Sequence, residues 1–455
     1  MFDKVLIANR GEIALRVVRT CRELGIKTVA VHSTADAESL PVRLADQSVC
    51  IGPAKGKDSY AHPPAIIEAA LLSGAQAIHP GYGYLSEDPD FPQICADNGL
   101  TFIGPRPSVI ADLGDKAVAR TLMAQQGLPL LPGNREPVAT AGAALAVAEE
   151  IGFPVIIKIA KGGGGIGMRV AHDPEQFVRE YTSARVVAQN LYGDGKVYAE
   201  RYLERARHIE VQVLCDEHGN GIHLGTRDCT TQRRFQKLIE EAPAPFLSPQ
   251  TADAMAQAAV QAALGVGYTG VGTFEFLLDE QERYYFMEVN CRLQVEHTVT
   301  EAITGIDLVE QQLLVAAGEP LTLTQADIRL NGHAIECRVN TEDPFREFAP
   351  TPGRLTTYRA PAGPFTRVDS HAYEGMNVSP DYDSLLAKVV TWGPDRAAAT
   401  ARMARAMDEF VVRGPGVHTT IPFHRAALVS DDFRAMRHTT TWAATLAPQP
   451  IDSPT

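Results

Sequence analysis

Lys158 closes a short apolar run, Val155-Ile156-Ile157-Lys158, and Ile159-Ala160-Lys161-Gly162-Gly163-Gly164-Gly165-Ile166-Gly167-Met168 follows at once. Glycines let backbone N–H groups come close to phosphate oxygens, and a lysine delivered by a buried strand can neutralise those oxygens. Lys158, Gly163, Gly164, Gly165 and Met168 are therefore the expected phosphate-holding segment. No Gly-Lys-Ser/Thr ends the run, so it is not a Walker A loop. A loose hairpin turn is the alternative, but it leaves the unbroken glycines between two lysines unexplained. A second signal pairs Glu275, in Phe274-Glu275-Phe276-Leu277, with Glu288, in Tyr285-Phe286-Met287-Glu288-Val289-Asn290. The polar stretch Asp279-Glu280-Gln281-Glu282-Arg283 lies midway, so a hairpin sets the two glutamates opposite each other. Alternation puts Asn290 on the same face as Glu288. Carboxylates that converge repel unless a cation joins them, and these oxygen donors suit Mg²⁺ or Mn²⁺ held against nucleotide phosphates. A solvated hairpin face is the alternative, opposed by the bracketing aromatics Phe274, Phe276, Tyr285 and Phe286.

The third cluster, Asn290-Cys291-Arg292-Leu293-Gln294-Val295-Glu296-His297, follows directly. If extended, it brings Arg292, Gln294 and Glu296 to one side, an arginine fork for a small oxyanion beside a glutamate that can act as base. Lys237, in Gln232-Arg233-Arg234-Phe235-Gln236-Lys237, adds positive charge. Two weaker signals remain. The polar face of His208, Glu210 and Gln212 reads as a half-exposed strand, and Tyr198 to Leu203 reads as a junction where an adenine can wedge. His32, His62 and His79 read as structural or surface residues, and Cys291 as a small buried filler.

Elements that could position these groups are visible in the periodicity. Val5 to Ala8, Thr28 to His32, Ala75 to His79 and Leu100 to Gly104 read as strands, with a helix over Glu12 to Leu24. This βαβ rhythm predicts a parallel sheet covered by helices, while the turn Asn9-Arg10-Gly11-Glu12 lacks the GxGxxG of a nicotinamide site. A helix is expected over Lys116 to Gln126, then a connector broken by Pro129, Pro132 and Pro137 and an αβ segment from Thr140 to Leu203. Long alternating strands follow at His208 to Cys215, Gly272 to Leu278 and Tyr284 to Asn290, and a late helix at Arg396 to Val411. At 455 residues, 45% hydrophobic and 21% charged, the chain can bury full cores in about three domains. The net charge of −13 argues against a nucleic-acid backbone binder, which needs clustered cations. Seven scattered cysteines without a CxxC pair fit neither a disulfide framework nor a zinc ribbon. With neither a signal-peptide pattern nor a membrane-length run, a cytoplasmic enzyme is expected.

With these residues in place, the sequence strongly resembles biotin carboxylase, the ATP-grasp component of biotin-dependent acyl-CoA carboxylases such as acetyl-CoA carboxylase. The likeness runs from about Phe2 to Leu428 and includes Ile7-Ala8-Asn9-Arg10-Gly11-Glu12-Ile13-Ala14 and His79-Pro80-Gly81-Tyr82-Gly83-Tyr84-Leu85-Ser86-Glu87. Glu240-Glu241-Ala242-Pro243-Ala244-Pro245, Gln294-Val295-Glu296-His297 and Glu336-Cys337-Arg338 match as well. The resemblance implies a mixed α/β and α+β architecture: a doubly wound N-terminal domain (1–113), an ATP-grasp core (114–318, lid about 131–203) and a C-terminal domain (330–446). It implies that Lys116, Lys158, His208, Gln232 and Lys237 hold ATP phosphates or ribose, with Glu200, Arg201, Leu203 and Leu277 around the rest of the nucleotide. Glu275, Glu288 and Asn290 would carry the metal. Lys237, Arg292, Gln294 and Val295 would hold bicarbonate, Glu296 would deprotonate it, and Arg338 would face the biotin ureido oxygen in a pocket lined by Tyr82 and Gly83. The implied reaction makes carboxyphosphate from ATP and bicarbonate and transfers its carboxyl group to biotin. The alternative reading is a carboxyphosphate-forming ligase with another nitrogen nucleophile; a non-catalytic nucleotide-binding regulator is a third. Lacking a Met-Lys-Met biotinylation signal, the chain is expected to serve a biotin carboxyl carrier protein and a carboxyltransferase subunit, as a homodimer, with no nucleic acid or membrane partner. It departs from the family's usual pattern at Lys161, Ile166, Arg201, Phe235 and the Arg413 to Val417 stretch, all but the last around the nucleotide.

Overall fold

The computed structural model describes residues 1–133, 138, 140–159 and 168–446. Gly163, Gly164 and Gly165, with Lys161 and Ile166, lie outside the described residues.

The N-terminal strands pair in parallel in the order Gln47–Gly52, Lys27–Ser33, Lys4–Ile7, Ala77–His79, Thr101–Phe102. Two of the expected strands are shorter than their apolar runs, because Ala75 and Leu100 serve the turns that close the preceding helices. Alternation sends Val5 and Ile7 to a core shared with the Gly11–Glu23 helix, and Leu6 and Ala8 to a second core against the Pro63–Ser73 helix. Helices thus cover both faces, the doubly wound arrangement expected. Strand order reverses between Lys4–Ile7 and Ala77–His79, where such sheets open a crevice. There Asn9 Nδ2 donates to the carbonyls of Pro80 and Tyr82, both at 2.7 Å. Gly81 packs so tightly beneath that a Cβ would meet Asn9 Nδ2 at 2.9 Å, and its φ of +63° independently favours glycine.

The central sheet has eight strands in the order Tyr284–Asn290, Gly270–Leu278, Arg207–Cys215, Gly221–Arg233, Gln236–Ala242, His333–Asn340, Leu385–Gly393, Thr366–Ser370. All its pairings are antiparallel, and Gln236–Ala242 bonds His333–Asn340 directly, so one hydrogen-bonded surface joins the middle of the chain to its last third. A smaller sheet, Arg169–Ala171, Val155–Ile159 and Val197–Arg201, packs under the helices Ala141–Ile151 and Pro174–Tyr192.

The expected helix from Arg396 to Val411 ends at Glu409; Phe410 turns extended and Val411–Arg413 pairs with Thr357–Arg359. Adjacent β-branched Val411 and Val412 favour that strand. The helix start is fixed by Asp395, whose side chain accepts from the Ala398 N–H at 2.8 Å. Asp395→Ala should therefore cost about 1 kcal/mol, seen as an earlier urea transition of the C-terminal region with nucleotide binding retained.

Candidate active site

Three adjacent strands build an acidic row. Glu288 lies opposite Glu275 across the hairpin, as the sequence predicts, and Glu275 lies opposite Glu210 on the next strand. Alternation explains the grouping: Ile209, Val211, Phe274, Phe276 and Phe286 enter the core on one face, leaving His208, Glu210, Gln212, Thr273 and Glu275 on the other. The hairpin turn is held by Asp279, which accepts from the Gln281 and Arg283 N–H groups at 2.9 Å.

His208, Glu210 and Gln212 do not form the half-exposed strand expected; all three are buried, and the side chain of Arg227 from the neighbouring strand links Glu210 and Gln212 to Thr300 of the helix His297–Thr304. Arg227, wholly buried, meets Glu210 with two donors (3.0 and 2.8 Å) and also binds Gln212, Thr273 and Thr300. Lys237 is the hub. Its Nζ donates to Glu210, to Glu275 Oε1 at 2.8 Å and to Glu296 Oε1 at 2.8 Å. Burial disfavours this ammonium, yet the surrounding carboxylates hold it charged well above the ordinary lysine range. Burial likewise opposes the Glu210 charge, but Lys237 and Arg227 bring that carboxyl down to about 2. Glu275 is lowered for the same reason, by Lys237 and His208 against burial.

Past Asn290 the chain is not the extended ladder expected; it turns, and Glu296 sits at the start of the His297–Thr304 helix. Arg292, Gln294 and Glu296 converge nonetheless. Arg292 donates to Gln294 Oε1 (3.0 Å) and Asn290 Oδ1 (3.2 Å), and Gln294 Nε2 and Asn290 Nδ2 donate to Glu275 Oε1 at 3.0 and 2.6 Å. Arg292 also lies 3.3 Å from Glu87, beside the Tyr82–Gly83 turn. Glu296 is buried and bridges Lys237 to Arg338, whose Nη2 reaches Glu296 Oε2 at 2.8 Å. The Val295 carbonyl accepts from Lys388 Nζ at 2.8 Å, and Lys388 pairs with Glu12 (3.1 Å), which in turn receives the Tyr82 hydroxyl.

The nucleotide candidates assemble at the other end of the row. His208 Nε2 lies 2.9 Å from Glu275, and its ring meets the Gln232 amide at 3.3 Å. Gln232 pairs with Lys237 across strands, and the half-buried Leu277 lies opposite His208. Lys116 Nζ is 3.9 Å from Glu288, while Lys158 donates to Glu200 at 2.6 Å. The carboxylate of Glu200 is also held by Arg120, so in this state it neutralises cations. Arg201 bonds the Ile151 carbonyl, fastening the small sheet to its helix, and Leu203 and Met168 are half-buried. Phe235, half exposed, and Arg234 form a two-residue hairpin turn with φ of +67° and +48°.

A divalent cation fits this donor set. Burial and the neighbouring Glu275 push the Glu288 carboxyl up, a repulsion that a cation between them would relieve. His208, Glu210 and Glu275 also present ligand atoms within 4.8 Å of one another. Sequence reasoning missed Arg120 on the helix Lys116–Gln125 and Arg227, Glu240 and Lys388 on strands; of these only Lys388 stands out as a charge inside an apolar strand, and that signal names no partner.

Fold and site together define an ATP-grasp ligase: a doubly wound first domain, a small sheet that delivers Lys158, and an acidic antiparallel sheet with a buried lysine hub. The chain matches the family models "Biotin carboxylase, N-terminal domain" over residues 1–110, "Carbamoyl-phosphate synthase L chain, ATP binding domain" over 115–324, and "Biotin carboxylase C-terminal domain" over 336–445. It is 52% identical over 432 residues to the biotin carboxylase of a Nostoc species, covering 95% of this chain and 96% of that one. A biotin carboxylase–beta-gamma-ATP complex from Campylobacter jejuni is similar with a TM-score of 0.95 at 46% identity, covering 98% of this chain and 99% of that one. The biotin carboxylase domain dimer of Hydrogenobacter thermophilus 2-oxoglutarate carboxylase, in complex with MgADP, ADP and bicarbonate, gives 0.94 at 44% identity, covering 98% of each chain. The chain belongs to the biotin carboxylase family, ATP-dependent C–N ligases. Among the described residues, no helix is long and apolar enough to cross a membrane.

Proposed function

We propose that the chain carboxylates biotin borne on a separate carrier protein, using ATP and bicarbonate, with the carboxylated carrier passing to a carboxyltransferase subunit. The observation that carries this reading is the unbroken chain Glu275–Lys237–Glu296–Arg338, which joins the acidic hairpin to the pocket side of the sheet.

Lys116, Lys158, His208 and Gln232 bind the phosphates and ribose of ATP, and Lys158 exchanges its Glu200 partner for phosphate oxygens. Arg201, Leu203, Leu277 and the 163–165 glycines with Met168 enclose the nucleotide. Glu275, Glu288 and Asn290 hold Mg²⁺, or Mn²⁺ in its place; the ion would neutralise phosphate charge as the γ-phosphoryl group transfers. Lys237, Arg292, Gln294 and the Val295 backbone orient bicarbonate in line with the γ-phosphorus. As the bicarbonate oxygen forms its bond to phosphorus and ADP leaves, Glu296 accepts the bicarbonate proton. The resulting carboxyphosphate breaks its C–O bond to give CO₂ and phosphate. That phosphate takes the N1′ proton of biotin, Arg338 steadies the charge on the ureido oxygen, and N1′ bonds to CO₂. Tyr82 and Gly83 line the biotin pocket at the sheet's switch point, and Lys388 and Glu12 brace Tyr82 and Val295 from behind. One similar solved structure, the Hydrogenobacter thermophilus biotin carboxylase domain, is a dimer, and a homodimer is proposed here.

The test is bicarbonate-dependent ADP release with and without free biotin. Stimulation by biotin is expected. ADP release that needs bicarbonate but answers only to another amide or urea would select the alternative ligase, and none at all, with ATP bound, the regulator.

A further inference from the structure

Arg338 is gripped from two sides. Its Nη2 donates to Glu296 Oε2 at 2.8 Å and its Nε donates to Glu240 Oε1 at 2.6 Å. Glu240 is fully buried on the Gln236–Ala242 strand, directly opposite Glu336 on the strand that carries Arg338. Its second oxygen, Oε2, has no partner among the described residues. The two carboxylates that hold Arg338 meet different fates during turnover. Glu296 is neutralised when it takes the bicarbonate proton, and a neutral carboxyl holds a guanidinium far less tightly than a charged one. Among the described residues the Glu240 side chain bonds Arg338 alone.

We propose that Glu240 is a positioning residue for the biotin step: it anchors the Nε edge of Arg338, so that the Nη end can turn from Glu296 to the biotin ureido oxygen without leaving the site. This rests on the reading that Arg338 serves biotin and Glu296 serves bicarbonate. It also makes the order of events physical. Proton transfer to Glu296 releases the arginine that the next step needs, and Glu240 keeps it within reach.

The anchor works only while charged. Burial lifts the Glu240 carboxyl to about 7, with Glu296 pushing the same way and Arg338 and Lys237 opposing. Around it stand Lys237 on its own strand, Glu336, Cys337 and Arg338 on the neighbouring strand, Cys229 on the other side, and Glu296 at the helix start. A raised carboxyl is ionised only above its pKa, so the anchor is present above about pH 7 and lost as the pH falls through that value.

The experiment measures bicarbonate-dependent ADP release by the full chain with and without saturating free biotin, as a function of pH, for the natural protein and Glu240→Gln. The amide mimics the protonated carboxyl. In the variant the ratio of biotin-dependent to biotin-independent rates should fall about tenfold or more, the KM for biotin should rise, and the increase through about pH 7 should vanish. A ratio within about twofold of the natural protein, with the pH limb kept, overturns the proposal. If the variant does not fold, the natural protein decides: a biotin-dependent rate with no limb near pH 7 absent from biotin-independent ADP release also overturns it. Failure of biotin to stimulate the natural protein at any pH would instead sink the functional reading.

Discussion

Lys237→Met should lose bicarbonate-dependent ATP cleavage by about 10²–10³-fold or more, the range seen when one donor to a developing charge is removed, and should destabilise the fold as well. Lys237 Nζ touches Glu210, Glu275 and Glu296, each no more than 2% exposed. Burial alone would drive all three carboxyls up, and the Lys237 ammonium is the strongest influence holding each down. Removing one partner of a buried ionic cluster costs about 3–5 kcal/mol, because the remaining charges stay desolvated. Arg227 still neutralises Glu210, so the damage falls on Glu275 and Glu296, the proposed metal and base positions. The sign of the pH effect follows. Carboxyls held below their ordinary range stabilise the fold above that range and lose this contribution as the pH falls through the lowered values. The variant should therefore be less stable than the natural protein at neutral pH, and the gap should close in acid. Thermal unfolding at several pH values and ADP release check both parts; a variant that melts with the natural protein and turns over within tenfold of it would refute the hub.

The hairpin that carries Glu275 and Glu288 was legible because its information is local: an apolar run, a polar turn and a second apolar run mark it, and a one-residue shift beside Glu275, where Phe276 pairs with Phe286, brings Glu288 opposite Glu275. The parallel sheet was legible from its alternating strand and helix runs, whereas Tyr82 and Gly83 were named only through the family resemblance. Arg227, Glu240 and Lys388 were not legible, since each acquires meaning only from a strand far away in sequence. Lys388 reaches Glu12 and Val295 from 376 residues and 93 residues away, respectively, through a sheet whose order nothing local specifies. The reading of His208, Glu210 and Gln212 failed in the same way: alternation gives their shared face, but only side chains from distant segments, Arg227, Lys237 and Thr300, decide whether that face meets water. The late helix erred at its end, where two valines leave the helix for a strand partner some fifty residues upstream.

Glu296→Gln should separate chemistry from architecture. The amide keeps the size of the side chain, and its one oxygen can accept from Lys237 or from Arg338 but not from both, while Lys237 retains Glu210 and Glu275 and Arg338 retains Glu240. Folding should thus change little. Burial opposes the Glu296 charge, but Lys237 and Arg338 hold its carboxyl below the ordinary range, so it is ionised throughout neutral pH. An ionised carboxylate beside the oriented bicarbonate can take its proton as the bond to phosphorus forms; an amide cannot. Loss of a positioned general base costs about 10²–10⁴-fold, and this loss should appear in kcat for biotin-independent ATP cleavage with the KM for ATP nearly unchanged. For the natural protein that rate should stay level across neutral pH and fall only in acid, as the pH drops through the lowered value and the base is protonated before bicarbonate arrives. The variant, having no such group, should show no acid limb of its own. A Glu296→Gln protein that cleaves ATP at the natural rate, or a natural rate that falls already near neutrality without biotin, would move the base to another residue. Because Glu240 is not engaged in this half-reaction, the pair of profiles, flat without biotin and rising with it, tests whether the two carboxylates on Arg338 divide their work as the geometry divides their contacts.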